Sequence, residues 1–162
     1  MRIVVGCDSN GVALKDALIG ILRQNSQVSG IEDLGVKSVD DATVYPDIGF
    51  ELAKKISQSK ADRGLLICGT GIGMAISANK VPGIRAATTH DPYSLERAIL
   101  SNDCQVICMG AKVITRENAE KLISQWLDYH FDEKSPSYAK VKRINVLEAE
   151  HRNNSSPIEK EG

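Results

Sequence analysis

A cysteine delivered by an apolar run into alternating glycines is the part of this sequence best suited to chemistry. The stretch reads Leu65-Leu66-Ile67-Cys68-Gly69-Thr70-Gly71-Ile72-Gly73-Met74-Ala75, a buried strand followed by a loop that opens a helix. Glycines let backbone N–H groups turn towards a ligand, and the start of a helix adds partial positive charge. Such a loop holds an anion, and its field favours a thiolate at Cys68. A dinucleotide fold asks for G-x-G-x-x-G, and Met74 stands where the third glycine belongs. A cysteine phosphatase needs an arginine at that same position. The chemistry left is a base that moves a proton between adjacent carbons, while the loop amides and the Thr70 hydroxyl hold the enediolate oxygen. A cysteine that only fills the end of a strand is the other reading these residues leave open.

Further polar residues cluster at predicted strand-to-helix corners. Asp8-Ser9-Asn10-Gly11 follow the first strand, Tyr45-Pro46-Asp47 precede a helix, His90-Asp91 follow the fourth strand and Ser101-Asn102-Asp103 precede the fifth. Open α/β sheets bind ligands beyond the C-terminal ends of their strands, and all four groups are expected at that end. Each also has a plain structural use: Asp8 and Asp47 as caps or turn formers, Tyr45 as a half-buried aromatic, His90 on the surface, Asn102 as a helix stop. Their coincidence favours the functional use. No His or Cys pair has metal-ligand spacing, so neither a metal nor a cofactor is expected.

The elements that must position these residues are short β-branched runs between helical patterns. Strands are expected at Ile3-Val4-Val5, near Ile31 to Leu34, at Leu65-Leu66-Ile67, at Ile84 to Ala87 and at Val106 to Met109. That alternation predicts a central parallel five-stranded sheet with helices on both faces. Asp91-Pro92 begins a helix and Val81-Pro82-Gly83 ends one. Ala119, Leu122, Ile123, Trp126 and Leu127 have the spacing of an amphipathic helix over Arg116 to Tyr129. A last helix over Tyr138 to Glu150 carries a narrow stripe of Val141, Ile144 and Leu147, suited to its own sheet or to another subunit. Beyond His151, residues 152–162 read as a disordered tail.

With 162 residues, 42% hydrophobic and 25% charged, the chain fits one domain over residues 1–151. Twenty Lys and Arg against 21 Asp and Glu give a net charge of -1, too balanced to gather nucleic acid or anionic lipid. The first residues read as a strand rather than a leader, and no stretch approaches a membrane span. Cys7, Cys68, Cys104 and Cys108 lack the framework of a small secreted domain, so a cytoplasmic protein with reduced thiols is expected. The partners implied are small molecules and copies of the chain.

Taken together, Gly6-Cys7-Asp8, Tyr45-Pro46-Asp47, Ile67 to Gly73, Ala78-Asn79-Lys80-Val81-Pro82-Gly83-Ile84-Arg85-Ala86 and Ser101-Asn102-Asp103 resemble the ribose-5-phosphate isomerase B and galactose-6-phosphate isomerase family, over about Met1 to Glu150. The resemblance implies a Rossmann-like α/β/α sandwich, a metal-free enediol mechanism on a phosphorylated sugar, and a homodimer or tetramer with active sites between subunits. By position, Cys68 would be the base, Thr70 and the amides of Gly69, Gly71, Ile72 and Gly73 the enediolate stabilisers, and Asp8, Tyr45 and Asn102 contacts to sugar hydroxyls. The departures are equally informative. The family's ring-opening histidine is Ser101 here, Asp-His after the first strand reads Asp8-Ser9, and two tail arginines read Ser135 and Lys140. Phosphate binding then falls to Ser9, Lys140 or Arg143, and His90 is a candidate replacement acid. Ribose 5-phosphate is the family substrate. The same departures, with Thr89-His90-Asp91, resemble the branch that interconverts D-erythrulose 4-phosphate and D-erythrose 4-phosphate, whose substrate needs no ring opening. A non-catalytic sugar-phosphate sensor is the rival from another class.

Overall fold

The computed structural model describes residues 1–155. Five parallel strands, β1 (Arg2–Cys7), β2 (Gly30–Asp33), β3 (Arg63–Cys68), β4 (Ala86–Thr88) and β5 (Val106–Gly110), form one sheet in the order β2-β1-β3-β5-β4. All but the first residue of β1 and of β3 are buried, as a sheet covered on both faces requires. The cover consists of α1 (Val12–Gln24), α2 (Tyr45–Ser57), α3 (Ile72–Ala78), α4 (Pro92–Leu100) and α5 (Arg116–Asp128), with α6 (Tyr138–Ser155) following. α1 and α4 pack on α5, and α2 packs on α3. Right-handed crossovers produce this division, because the connections leaving β1 and β4 run one way along the sheet and those leaving β2 and β3 run the other. The result is the expected Rossmann-like three-layer sandwich.

That reversal of direction opens a crevice at the C-terminal ends of β1 and β3. Cys7 pairs with Ile67, and the Asp8 N–H donates to the Ile67 carbonyl at 3.2 Å, so Asp8 and Cys68 emerge side by side. The chain after β2 is fixed by a buried ion pair: Lys15, 1% exposed, donates to Asp33 at 2.9 Å and to the Val36 carbonyl at 3.2 Å. Burial pushes the Asp33 carboxyl up, but the ammonium groups of Lys37 and Lys15 outweigh it and hold the group below its ordinary value. This anchors the segment that leads towards Tyr45.

Two boundaries differ from expectation. β4 begins at Ala86 rather than Ile84, since Gly83 at φ +78° and a bond from Ile84 N–H to the Val81 carbonyl keep those residues in a turn. α6 continues through 152–155, where the sequence reading starts a tail, because no glycine or proline stops it before Pro157. The rest of that tail, 156–162, lies outside the described residues. Of the α6 stripe, Val141 is buried while Ile144 and Leu147 are each 47% exposed. Among the described residues, no helix is long and apolar enough to cross a membrane.

Candidate active site

β3 carries Cys68 to the floor of the crevice, where it is only 5% exposed. The chain then turns through Gly69-Thr70-Gly71 into α3, with Gly71 at φ +80° as the N-cap. The Gly71 N–H donates to Cys68 Sγ at 3.1 Å, a donor placed to support charge on the sulfur. Ala75 N–H is the first to bond back into the helix, to the Gly71 carbonyl, so the amides of Ile72, Gly73 and Met74 precede the helical ladder. The Ile72 amide lies 3.4 Å from Thr70 Oγ1. α3 has seven residues, so these local amides, more than a long helix dipole, make the electropositive rim.

Asp8 and Ser9 line one side of an open cavity of about 430 Å³, and residues 41–46, Tyr45 among them, line the rest. The Asp8 carboxylate is held in its own turn, accepting from Asn10 N–H at 2.9 Å and from Asn10 Nδ2 at 3.4 Å. The Tyr45 ring lies against Gly73, and a Cβ there would come within 2.5 Å of it. Only glycine lets the ring sit this close to the first turn of α3.

His90 stands at the same end of the sheet but behind the loop. Its Nε2 accepts the Gly110 N–H at 2.8 Å, which fixes the proton of the neutral ring on Nδ1. Burial lowers its pKa below the ordinary histidine value, with Asp91 opposing. The ring borders a separate cavity of about 230 Å³ against α5, with Asn118, Lys121 and Gln125. The Gly110 it bonds to packs on the Thr70 backbone so tightly that a Cβ there would stand 2.6 Å away. The other three cysteines are buried free thiols: burial pushes Cys7 up to about 12 and Cys104 up to about 11, and holds Cys108 well above its ordinary value.

Ser101 and Asn102 do not join this cluster, contrary to the expectation that all the corner residues share one end. They terminate α4 and precede β5, and residues that precede a parallel strand lie at its N-terminal end. Arg85, just before β4, donates to the Asn102 carbonyl at 2.9 Å and pairs with Asp103 at 2.6 Å. Lys140 and Arg143 ride on α6, whose bonds from Gly83 N–H to Glu148 and from Arg85 to Asn145 attach it to this same opposite end. From there a cavity of about 620 Å³ runs along the edge strand β4 to Thr89 beyond its C-terminal end, with Arg97, Asn102 and Glu148 also in its wall. Two buried polar atoms among the described residues, Thr89 Oγ1 and Arg97 Nε, have no partner there. No group of three or more His, Cys, Asp or Glu among the described residues could hold a metal ion.

A family model described as Ribose/Galactose Isomerase matches residues 3–144. The chain belongs to the ribose/galactose isomerase family. It is 49% identical over 148 residues to D-erythrulose-4-phosphate isomerase 2 of Mycolicibacterium smegmatis, covering 91% of this chain and 97% of that one. It is 34% identical over 149 residues to ribose-5-phosphate isomerase B of Escherichia coli, covering 91% and 96%. The solved ribose-5-phosphate isomerase B of Clostridium thermocellum superposes with a TM-score of 0.87 at 31% identity, over 93% of this chain and 99% of that one. As a ribose/galactose isomerase the chain also carries a residue that motif reading passed over. Lys112, after β5, has its Cδ and Cε 3.7 and 3.9 Å from a Cβ built on Gly69, with Asn10 Cγ at 3.9 Å from that same point. Its stem thus overhangs the loop at Cys68. A basic residue two positions past a strand was the available signal, but only the β3–β5 pairing brings it to the site.

Proposed function

We propose that this family member interconverts a small phosphorylated ketose and aldose without a metal, through an enediolate, with Cys68 as the carbon base. The Cys68 thiolate removes the proton from the carbon beside the carbonyl, the electron pair moves onto the carbonyl oxygen, and the thiol returns the proton to the neighbouring carbon. Thr70 and the loop amides of Gly69 to Gly73 hold the oxyanion. Asp8, fixed by Asn10, passes the hydroxyl proton between the two oxygens, and Tyr45 packs on the sugar. Only protons and an electron pair within the substrate move, so the chemistry needs no redox cofactor. Lys112 and Ser9 meet the phosphate from the Cys68 side. Asn102, Ser101, Lys140 and Arg143 are supplied by a second copy, a reading supported by their position at the far end of the sheet and by the half-exposed Ile144 and Leu147.

The substrate we assign is the tetrose pair, D-erythrulose 4-phosphate and D-erythrose 4-phosphate. A tetrose esterified on O4 has no hydroxyl left to close a five-membered ring. The observation that carries the assignment is His90, whose ring accepts from Gly110 N–H and borders the cavity against α5 rather than that of Asp8 and Tyr45; with Ser101 in place of the family's histidine, no histidine lines the Asp8–Tyr45 cavity. The relative at 49% identity bears the matching name. The test is kcat/KM for D-erythrulose 4-phosphate and ribose 5-phosphate in EDTA. A tetrose preference of about 100-fold or more is expected, since ring opening by solvent alone forfeits general acid catalysis. A pentose preference overturns the assignment in favour of ribose 5-phosphate. Absence of deuterium uptake next to the carbonyl in deuterated water would leave a non-catalytic sugar-phosphate binder.

A further inference from the structure

We infer that Arg97 is a positioning and specificity-determining residue for this isomerisation, acting through Ser101. The inference rests on the reading that the Ser101–Asn102 pair meets substrate in a second copy. Arg97 lies on α4, one turn before the pair, and bonds to both of its members. Its Nη1 donates to Ser101 Oγ at 3.1 Å. Its carbonyl accepts the Ser101 N–H at 3.1 Å and Asn102 Nδ2 at 2.9 Å. Glu96 pairs with Nη2, the Tyr93 ring lies 6.0 Å from Cζ, and Nε is buried without a partner.

These bonds fix the polarity of the pair. A serine hydroxyl is a rotor that donates or accepts as its surroundings demand. With Arg97 donating into its oxygen, the Ser101 proton is directed outward, and the adjacent positive charge strengthens it as a donor. Asn102 must turn its NH2 towards the Arg97 carbonyl, which leaves Oδ1 facing outward as an acceptor. The pair therefore presents one donor beside one acceptor. An open-chain hydroxy-ketone or hydroxy-aldehyde offers the complement: a carbonyl oxygen that accepts and a neighbouring hydroxyl that donates. A closed sugar ring has no carbonyl to offer. Histidine at 101 would be an acid; serine governed by Arg97 is a fixed donor with no proton to release, suited to reading a substrate that is already open.

The experiment is a double-mutant cycle on the full chain: wild type, Arg97→Met, Ser101→Ala and the double variant, each measured for kcat and KM with D-erythrulose 4-phosphate and ribose 5-phosphate, and for Tm. Because the Arg97 side chain is argued to act only through Ser101, each single change should lower tetrose kcat/KM by ~10-fold, chiefly in kcat, and the double by the same ~10-fold rather than ~100-fold. Losses that multiply, or an Arg97→Met enzyme within about two-fold of wild type whatever its Tm, overturn the inference and leave Arg97 as a helix-end contact. Should Arg97→Met not fold, Arg97→Lys carries the cycle: it keeps the charge without the planar fork, and a loss of about three-fold that vanishes in the Ser101→Ala background is expected. A wild-type chain that turns over neither substrate instead overturns the isomerase reading, and this inference with it.

Discussion

At the C-terminal end of the sheet, Cys68, Thr70, Asp8 and Tyr45 are packed by short backbone approaches and self-contained turns, with the Gly71 amide already on the sulfur. Towards the N-terminal end, Asn102 and Arg97 line a cavity of about 620 Å³ that runs along β4 to Thr89, and Ser101 adjoins them; the cavity wall holds two buried polar atoms without partners. In the proposed function the first region moves a proton and the second recognises oxygen atoms, and the length of the strands separates them. Under the proposed function the open end of one chain faces the catalytic end of another, as a two-fold pair permits.

The comparison breaks most sharply at Cys68. Cys68→Ala should lower kcat by ~10⁴-fold or more while leaving Tm near that of wild type, because only the proton-transfer group is lost; a near-normal rate would mean another base. Next comes the assignment of the two ends to different copies. Cys68→Ala and Asn102→Ala, each nearly inactive alone, should on mixing and reassembly recover about one quarter of wild-type activity, since half the dimers are mixed and each has one intact site. No recovery would mean that both ends serve the same copy.

Gly110→Ala probes how tightly the catalytic end is built. The new Cβ meets Thr70 backbone at 2.6 Å, and backbone cannot swing aside as a side chain would. Displacing the loop should cost ~10²-fold in kcat/KM and ~1–3 kcal/mol in denaturant unfolding. Unchanged kinetics would show that the loop has slack. Lys112→Ala should raise KM by ~10-fold with a smaller change in kcat, as expected of a remote phosphate grip. If KM does not move, phosphate is held from the open end alone.

The smallest effect belongs to His90. Burial holds its folded pKa below the ordinary 6.5, so the unfolded chain takes up the proton first as pH falls. Its contribution to stability is complete above that ordinary value and is lost between it and the lower folded value. Tm should therefore drop with acid in that window, and His90→Gln, which can still accept from Gly110 N–H, should flatten the slope. An identical slope in both proteins would assign the effect to another group.

The Cys68 loop was legible because its chemistry is local: strand, cysteine, glycines and helix start follow one another within a dozen residues, and β-branched and amphipathic periods suffice to announce a covered parallel sheet. Ser101 and Asn102 fall at the other end of the sheet from the one expected, because a corner before a strand resembles a corner after one in sequence, although the direction of a parallel strand puts the two at opposite ends. Lys112 was missed for a related reason. Its distance from Gly69 is set by the hydrogen bonding of β5 to β3, and nothing in the residues between them encodes that proximity locally. The sequence by itself thus determined the layers and the strand-to-glycine loop that carries Cys68. Which polar groups share a crevice, which stand at the far end, and which hydroxyls have their polarity fixed were decided by strand order and side-chain contacts, because those depend on pairings between segments far apart in the chain.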